Sequence, residues 1–467
     1  MLVSIMAALL FLAALLPGAQ AAEAATWTEE EVSFASGTLT LHGTLLLPQT
    51  PGPHPAVVLV HGSSSGSREK YRGEAEMFAK AGIAALIYDK RSDGFGKLRS
   101  YDQLAADANA AVEALHAHQS LDPDHIGLWG LSEGAWVTSL AASRSEKPDF
   151  LITVGASGVP PVQQQSWQLV NRLRDQGVTS PSVTEALSDR AVKLAVSAGM
   201  FAEASYNPLQ AFESLKQPVL AIWGRQDRIE PPLESSRLIR EALERGGNAG
   251  YSLRFFDLAG HNLRSAPDGI RQTEDFAPGY AEAMTSWVLD VTAGRGTGPQ
   301  TAGAAPVQEH MSQPGIDSYA WHQTAWVHLG VMLVLLAGFA GLAALWRRQR
   351  AVPSAAAGKG TQPPGRGAAQ LAAGSGLLSV LGFAAYFGWL MSSGAKHVAP
   401  LAGDRPLVWL LLQAGSLVTC AAGAAFAWRA WQGRGRTRLK GRLLTLFTLA
   451  VFLLFVPWAF YWQMLLP

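Results

Sequence analysis

Residues 127–136 read GLWGLSEGAW and contain the pattern Gly130-x-Ser132-x-Gly134. The pattern alone is weak, because VLVHGSSSGS carries a second copy at Gly62-x-Ser64-x-Gly66 and a chain this rich in glycine and serine meets it by chance roughly one time in three. What surrounds each serine separates the two. A nucleophile raised above a parallel sheet requires a strand, a sharp turn bearing the serine, and a helix that starts at once. HIGLWG is an apolar strand and EGAWVTSLAAS begins a helix immediately, with glycines where the tight turn leaves no room for side chains. Ser64 is followed by Ser65-Gly66-Ser67, so no helix can start before about Arg68. Ser132 is the candidate nucleophile, and Ser64 belongs to a loop.

Outward from this turn, strand-length apolar runs alternate with helix-like segments from Thr28 to Ser286. VSFASGTLTLHGTLLLP alternates with period two around Ser36-Gly37, an antiparallel hairpin. AVVLVHG, IAALIYDKR, HIGLWGLS, FLITVGAS, PVLAIWGRQD and YSLRFFDLAGH follow, each ending in polar or glycine turn residues, with helical spacing at 101–119 and 233–246 between them. This alternation predicts a mainly parallel sheet covered by helices. Residues 158–212 break the rhythm with helix-like sequence and are expected to form a cap over the sheet's edge. The apolar side chains Trp167, Leu169, Met200 and Phe201 would then roof an acyl pocket or pack the cap itself.

The charge divides as sharply as the pattern. Residues 321–467 hold 13 Lys or Arg against a single acid, Asp404, while residues 1–320 hold 24 bases and 35 acids. An acidic front half without a basic run excludes a nucleic-acid binder. The basic residues behind it separate four apolar stretches at about 325–346, 368–391, 406–428 and 443–466, each near the ~20 residues that cross a bilayer. RRQRAVPSAAAGKGTQPPGRG between the first two has five bases, RAWQGRGRTRLKGR between the last two has six, and the middle loop is nearly neutral. The positive-inside rule puts both basic loops in the cytoplasm and residues 22–320 outside. MLVSIMAALLFLAALLPGAQA reads as a signal peptide ending at Ala21, which exports the same segment. Residues 295–320, rich in Gly, Pro, Ala and Gln, read as a linker without an apolar face to dock. Cys420 is the sole cysteine, so an intrachain disulfide is excluded.

Ser132 in GLSEGAW, His61-Gly62 ending an early strand, and a later Asp and His resemble the α/β-hydrolase superfamily, most closely its esterase, thioesterase and dienelactone-hydrolase-like branch. The resemblance covers residues 30–290 and implies an α/β-hydrolase domain at 22–294, with the four spans outside it. It implies the chain order nucleophile, acid, histidine. Asp227 in AIWGRQDRIEPP and His261 in LAGHN stand at those positions, with Glu230 as the rival acid. The imidazole would take the serine proton, and the carboxylate would fix its tautomer. By the same resemblance the backbone N–H groups of Ser63 (or Ser64) and Glu133 would form the oxyanion hole, and His61 would be structural. YDKRSDGFG, with Ser92 and Asp93 between Arg91 and Gly94, is expected to be a solvated turn, although Arg91 or Asp93 could line the pocket mouth.

No metal-ligand spacing or dinucleotide fingerprint occurs, and no cofactor is expected. The expectation is a multi-pass membrane protein, with an extracytoplasmic catalytic domain in a bacterium, acting on a small-molecule or lipid-like acyl substrate. A peptidase of the same fold remains a competing reading. So does a transporter or channel with a hydrolase-like appendage, against which the absence of Asp, Glu, Lys and Arg from the spans counts.

Overall fold

A computed structural model of the chain describes residues 26–64, 66–92, 99–267, 270–296, 298–348, 365–432 and 439–465. The signal-peptide segment, Asp93, and most of the two basic loops lie outside the described residues.

Period-two alternation produces the expected hairpin. β1 (Trp27–Ser36) and β2 (Leu39–Pro48) pair antiparallel around Gly37, whose φ of 62° suits a residue without a side chain. The continuous apolar runs become strands buried on both faces: β3 (His54–Val60), β4 (Ala84–Tyr88), β5 (Leu121–Leu131), β6 (Leu151–Val154), β7 (Val219–Gly224) and β8 (Tyr251–Phe256). The strand order is β1-β2-β4-β3-β5-β6-β7-β8, and from β4 onward every pairing is parallel. Alternate side chains of β3 feed two cores. Val58 and Val60 pack with α2 (Tyr101–His116), α3 (Glu133–Ser143) and the helix Pro232–Arg245, whereas Val57 and Leu59 pack with α1 (Arg72–Lys80) and the helix Tyr280–Thr292. After β3 the chain moves to one side for β4, then crosses to the other for β5. The carboxyl ends of β3 and β5 therefore flank a switch point, where open α/β sheets form their crevice.

The cap begins with α4 (Pro161–Asp175) and continues through a helical stretch from Pro181 to Ser197. Beyond the sheet stand four helices, α5 (Ala325–Arg348), α6 (Arg366–Ser392), α7 (Leu407–Gln432) and α8 (Leu439–Tyr461), each long and apolar enough to cross a membrane. The last ends five residues earlier than the apolar run in the sequence. Residues after Tyr461 turn back, and the Gln463 carbonyl accepts a hydrogen bond from Gln413 at 3.0 Å. Leu173, Val178, Val183 and Leu187 of the cap share one apolar cluster with these helices. Arg172 and Gln176 also donate to the carbonyls of Gly394 and Ala395, at 2.5 and 2.7 Å.

Residues 300–316 depart from the expectation of a free linker. Gln300–Ala302 extend the sheet as β9, parallel to β8. Gln308 Oε1 accepts from the N–H groups of Leu233 and Glu234 at 3.1 Å each, capping the helix they begin. Ser312 donates to Glu234, and Ile316 is buried against Val162 and Val192. The contacts are made mostly by polar side chains, so no apolar periodicity announced them. Ile316→Ala should cost about 2 kcal/mol and speed protease cleavage within 295–320; a melt and cleavage rate equal to the parent's would mean that the segment runs free.

Candidate active site

The turn after β5 is built from close backbone approaches. A Cβ on Gly130 would stand 2.2 Å from the Gly134 carbonyl oxygen, and one on Gly134 would stand 2.4 Å from that of Val60. With both side chains absent, α3 presses against the strands it follows, and residues 133–142 are all buried. Ser132 between them takes φ 58° and ψ −120°, a conformation that costs a non-glycine residue of order 1–3 kcal/mol. Its N–H donates to Val154 O, and its own carbonyl accepts from Ala135 N, both at 2.8 Å, which holds it there. Strand, strained turn and helix thus raise the Ser132 hydroxyl at the switch point, while Ser64 lies in an exposed loop where its Oγ accepts from Lys70 at 2.6 Å.

The structure brings Asp227 and His261 together from loops after β7 and β8. His261 Nδ1 and Asp227 Oδ2 are 2.8 Å apart, and the nitrogen is the donor because a carboxylate only accepts. Asp227 is buried; its other oxygen accepts from the N–H groups of Ile229 and Glu230 at 2.8 and 2.9 Å, so the carboxylate is fixed from both sides. Gly155, at φ 58°, lies under the imidazole, where a Cβ would come within 2.8 Å of His261 Cε1. His261 Nε2 makes no hydrogen bond among the described residues and lines a cavity of about 510 Å³ with Ser132.

Glu230 lines the same cavity. Burial first, and then the charge of Asp227, hold its carboxyl well above the usual carboxylate range, and one of its oxygens lacks a hydrogen-bond partner among the described residues. Of the two carboxyl groups it is Asp227 that contacts the imidazole.

Ser63 also lines the cavity. His61 before it is buried and bonded through Nε2 to Tyr88 O at 2.7 Å, and burial pushes its pKa down to about 4. The Gly62 N–H is taken by the Tyr71 hydroxyl at 3.0 Å.

Residues 93–96 of the expected solvated turn lie outside the described residues, but Lys90 just after β4 belongs to a buried ionic clamp. Lys90 Nζ donates to Glu133 Oε1 at 2.6 Å and to the Gly62 carbonyl at 2.7 Å, and Arg99 pairs with the other oxygen of Glu133. The side chains of Lys90 and Glu133 are 4% and 3% exposed. Desolvation lowers the Lys90 pKa, and Glu133 opposes that shift. One ammonium group therefore ties the loop after β3 to the turn after β5. Arg91 does not reach the cavity; it forms a two-pronged pair with buried Asp107. Of the expected roof residues, Met200 and Phe201 line the cavity. Trp167 turns away to donate to His310 O at 2.9 Å, and Leu169 faces the four-helix side. In their place α4 presents Gln164, Gln165 and Gln168, an amide row that hydropathy reading passes over. Among the described residues no group of three or more His, Cys, Asp or Glu is placed to hold a metal.

The profile of the prolyl oligopeptidase family matches residues 70–285, a stretch holding Ser132, Asp227 and His261. Polyketide transferase ATR5 of Stachybotrys chlorohalonatus is 35% identical over 134 residues, 27% of this chain and 44% of that protein. Esterase EstD of Thermotoga maritima is 28% identical over 291 residues, 55% and 69% of the two chains. The crystal structure of dienelactone hydrolase from Anabaena variabilis covers 56% of this chain and 95% of its own at 20% identity, with a TM-score of 0.36. The chain spans less than half the length of the polyketide transferase. Sheet order, strained turn and helix cover decide the architecture. The chain has the α/β-hydrolase fold. Its hydrolase-fold domain carries the cap as an insertion after β6, and the four apolar helices follow it in the chain.

If Asp227 is the acid, Asp227→Asn should lower kcat by about four orders of magnitude, while Glu230→Gln, which keeps the side chain's size and removes its titration, should stay within a few-fold of the parent. Because the folded pKa of Glu230 is raised, parent stability falls as pH rises from about 4.5 through that pKa. Glu230→Gln lacks this loss, so its melting temperature should gain on the parent's from pH 4.5 to pH 8. A kinetic defect confined to Glu230→Gln would reverse the two assignments.

Proposed function

We propose that this chain is a membrane-held serine hydrolase that cleaves carboxylic esters or thioesters through an acyl-enzyme on Ser132. The observation that carries the reading is the His261 imidazole, held at 2.8 Å by a doubly anchored Asp227 with its other nitrogen unpartnered in the cavity that a strained-turn serine lines. In this reading His261 Nε2 takes the Ser132 proton as Oγ attacks the acyl carbon. It returns that proton to the departing alcohol or thiol, then activates water to release the acid. Asp227 keeps Nδ1 protonated and stabilises the imidazolium. The tetrahedral oxyanion is received by the backbone N–H groups of Ser63 and Glu133. Gly62 N–H is already committed to Tyr71, which passes that role to the next residue. Preorganised donors of this type contribute about 10²–10³ in rate each. The Lys90–Glu133 pair keeps the two donors in register by holding both loops.

The four helices, with mean hydropathy of 1.5–2.3 and basic connecting loops, support residence in a membrane with the hydrolase-fold domain outside. A cytoplasm-dependent fluorescent reporter should light up when fused after Arg350 or Arg438 and stay dark after Gln300 or Ala399; the opposite pattern would invert the topology.

The prolyl oligopeptidase profile favours a second reading, a serine peptidase using the same three residues. Turnover of p-nitrophenyl esters, acyl thioesters and peptide p-nitroanilides by the full chain in detergent separates the two. The esterase reading predicts kcat/KM for esters or thioesters at least tenfold above the anilides and background rates for Ser132→Ala. A preference for anilides would make the peptidase reading correct.

A further inference from the structure

A second cavity, of about 190 Å³, lies where the cap meets the carboxyl-terminal end of α6. Leu169, Leu187 and Val192 form its cap wall; Leu390, Met391 and Ala395 form the wall on the four-helix side. It shares Gln165, Gln168 and Phe201 with the cavity that holds Ser132 and His261, so the two chambers adjoin at those side chains. Its walls are mainly apolar, although Arg172 lines it too, with its guanidinium donating to the Gly394 carbonyl just past the end of α6; at the junction it meets two amides able to hydrogen-bond an ester or thioester linkage.

The position of this chamber suggests its occupant. α6 has 27 residues and is about 40 Å long, which exceeds the ~30 Å hydrocarbon core of a bilayer. Its last turn therefore reaches the interface, where half-exposed Trp389 stands as interfacial aromatics do. Arg172 of α4 and Gln176 just after it bind the carbonyls of Gly394 and Ala395 just beyond this turn, and the Asp404 carbonyl accepts from the N–H groups of Thr179 and Ser180 at 3.0 and 3.2 Å. The cap is thus seated on the helix ends, and the chamber lies between the end of α6 and the cavity that Ser132 lines. We infer that this chamber receives one long acyl chain of an ester or thioester resident in the outer leaflet, which enters between α4 and α6 and delivers its carbonyl to Ser132. The inference rests on the membrane-hydrolase reading and adds to it a substrate class: membrane amphiphiles with a long acyl chain. Sliding from the bilayer into an apolar chamber spares the chain an exposure to water that grows unfavourable with each methylene.

The test uses the full chain in proteoliposomes. Ala195→Trp fills the chamber from the cap, and Leu390→Phe narrows it from α6. Both should lower the ratio of kcat/KM for p-nitrophenyl palmitate to that for p-nitrophenyl butyrate at least tenfold. Ratios within twofold of the parent's in both variants would overturn the inference. A measurement on the unmutated chain guards against loss of folding. A hexadecyl fluorophosphonate with a photoreactive diazirine at the chain's end should, once bound to Ser132, cross-link to the peptide containing residues 387–395. Labelling of Ser132 with cross-links only elsewhere would overturn the chamber and leave the hydrolase reading standing. If no fluorophosphonate of any chain length labels Ser132, the hydrolase reading itself falls, and the inference with it.

Discussion

The structure depends on one backbone constraint, the contact of Gly130 with Gly134 and of Gly134 with the end of β3. Closing those gaps lets α3 start one residue after the strand and forces Ser132 into a left-handed conformation that the surrounding hydrogen bonds must hold. A strained residue persists only where its neighbours over-determine it. Here the Val154 carbonyl, the buried helix and the β3 strand end do so together. The same approach brings the first N–H groups of α3 beside the hydroxyl, where a helix N-terminus favours developing negative charge. The proposed nucleophile and oxyanion donors thus follow from one packing event. The His261 loop shares the character, with Leu258 at φ 51° and Leu263 at φ 55° on either side of the imidazole.

Local signals made the candidate site residues legible. A strand ending in Gly-x-Ser-x-Gly with a helix directly behind it is a contiguous pattern, and Asp227 and His261 follow successive apolar strands in the order the resemblance implies. Side chains that act across long separations were not legible. Lys90 and Arg99 reach Glu133 over 43 and 34 residues, and nothing local distinguishes them from charges on a solvated turn. The amide row of α4 and the polar strap at 300–316 escape for a related reason. Hydropathy registers apolar periodicity, whereas these segments dock through hydrogen bonds to helix starts and carbonyls. The cap residues Leu173, Val178 and Leu187 could be seen to be apolar, but not that the four helices would cover them.

These long-range contacts change how the two halves of the chain relate. A tethered enzyme needs only a flexible link to its anchor, and its cap would face solvent. Here the cap's outer surface is shared with the four-helix ends, the strap fastens the segment between the halves, and an apolar chamber opens at their junction. In the proposed reading the four helices shape what reaches Ser132, in addition to where the domain resides. The contacts through which Lys90 holds Glu133 and Gly62 are separate from the one through which Asp227 holds His261.

The central claim is that Ser132 carries the acyl group between the two halves of the reaction. Mixing the full chain with a p-nitrophenyl ester, quenching in acid during the first turnover and mapping the peptides by mass tests it directly. The account predicts a mass gain equal to one acyl group on the peptide containing Ser132, lost in Ser132→Ala. An acyl group on any other residue, or turnover at the parent's rate in Ser132→Ala, would contradict it.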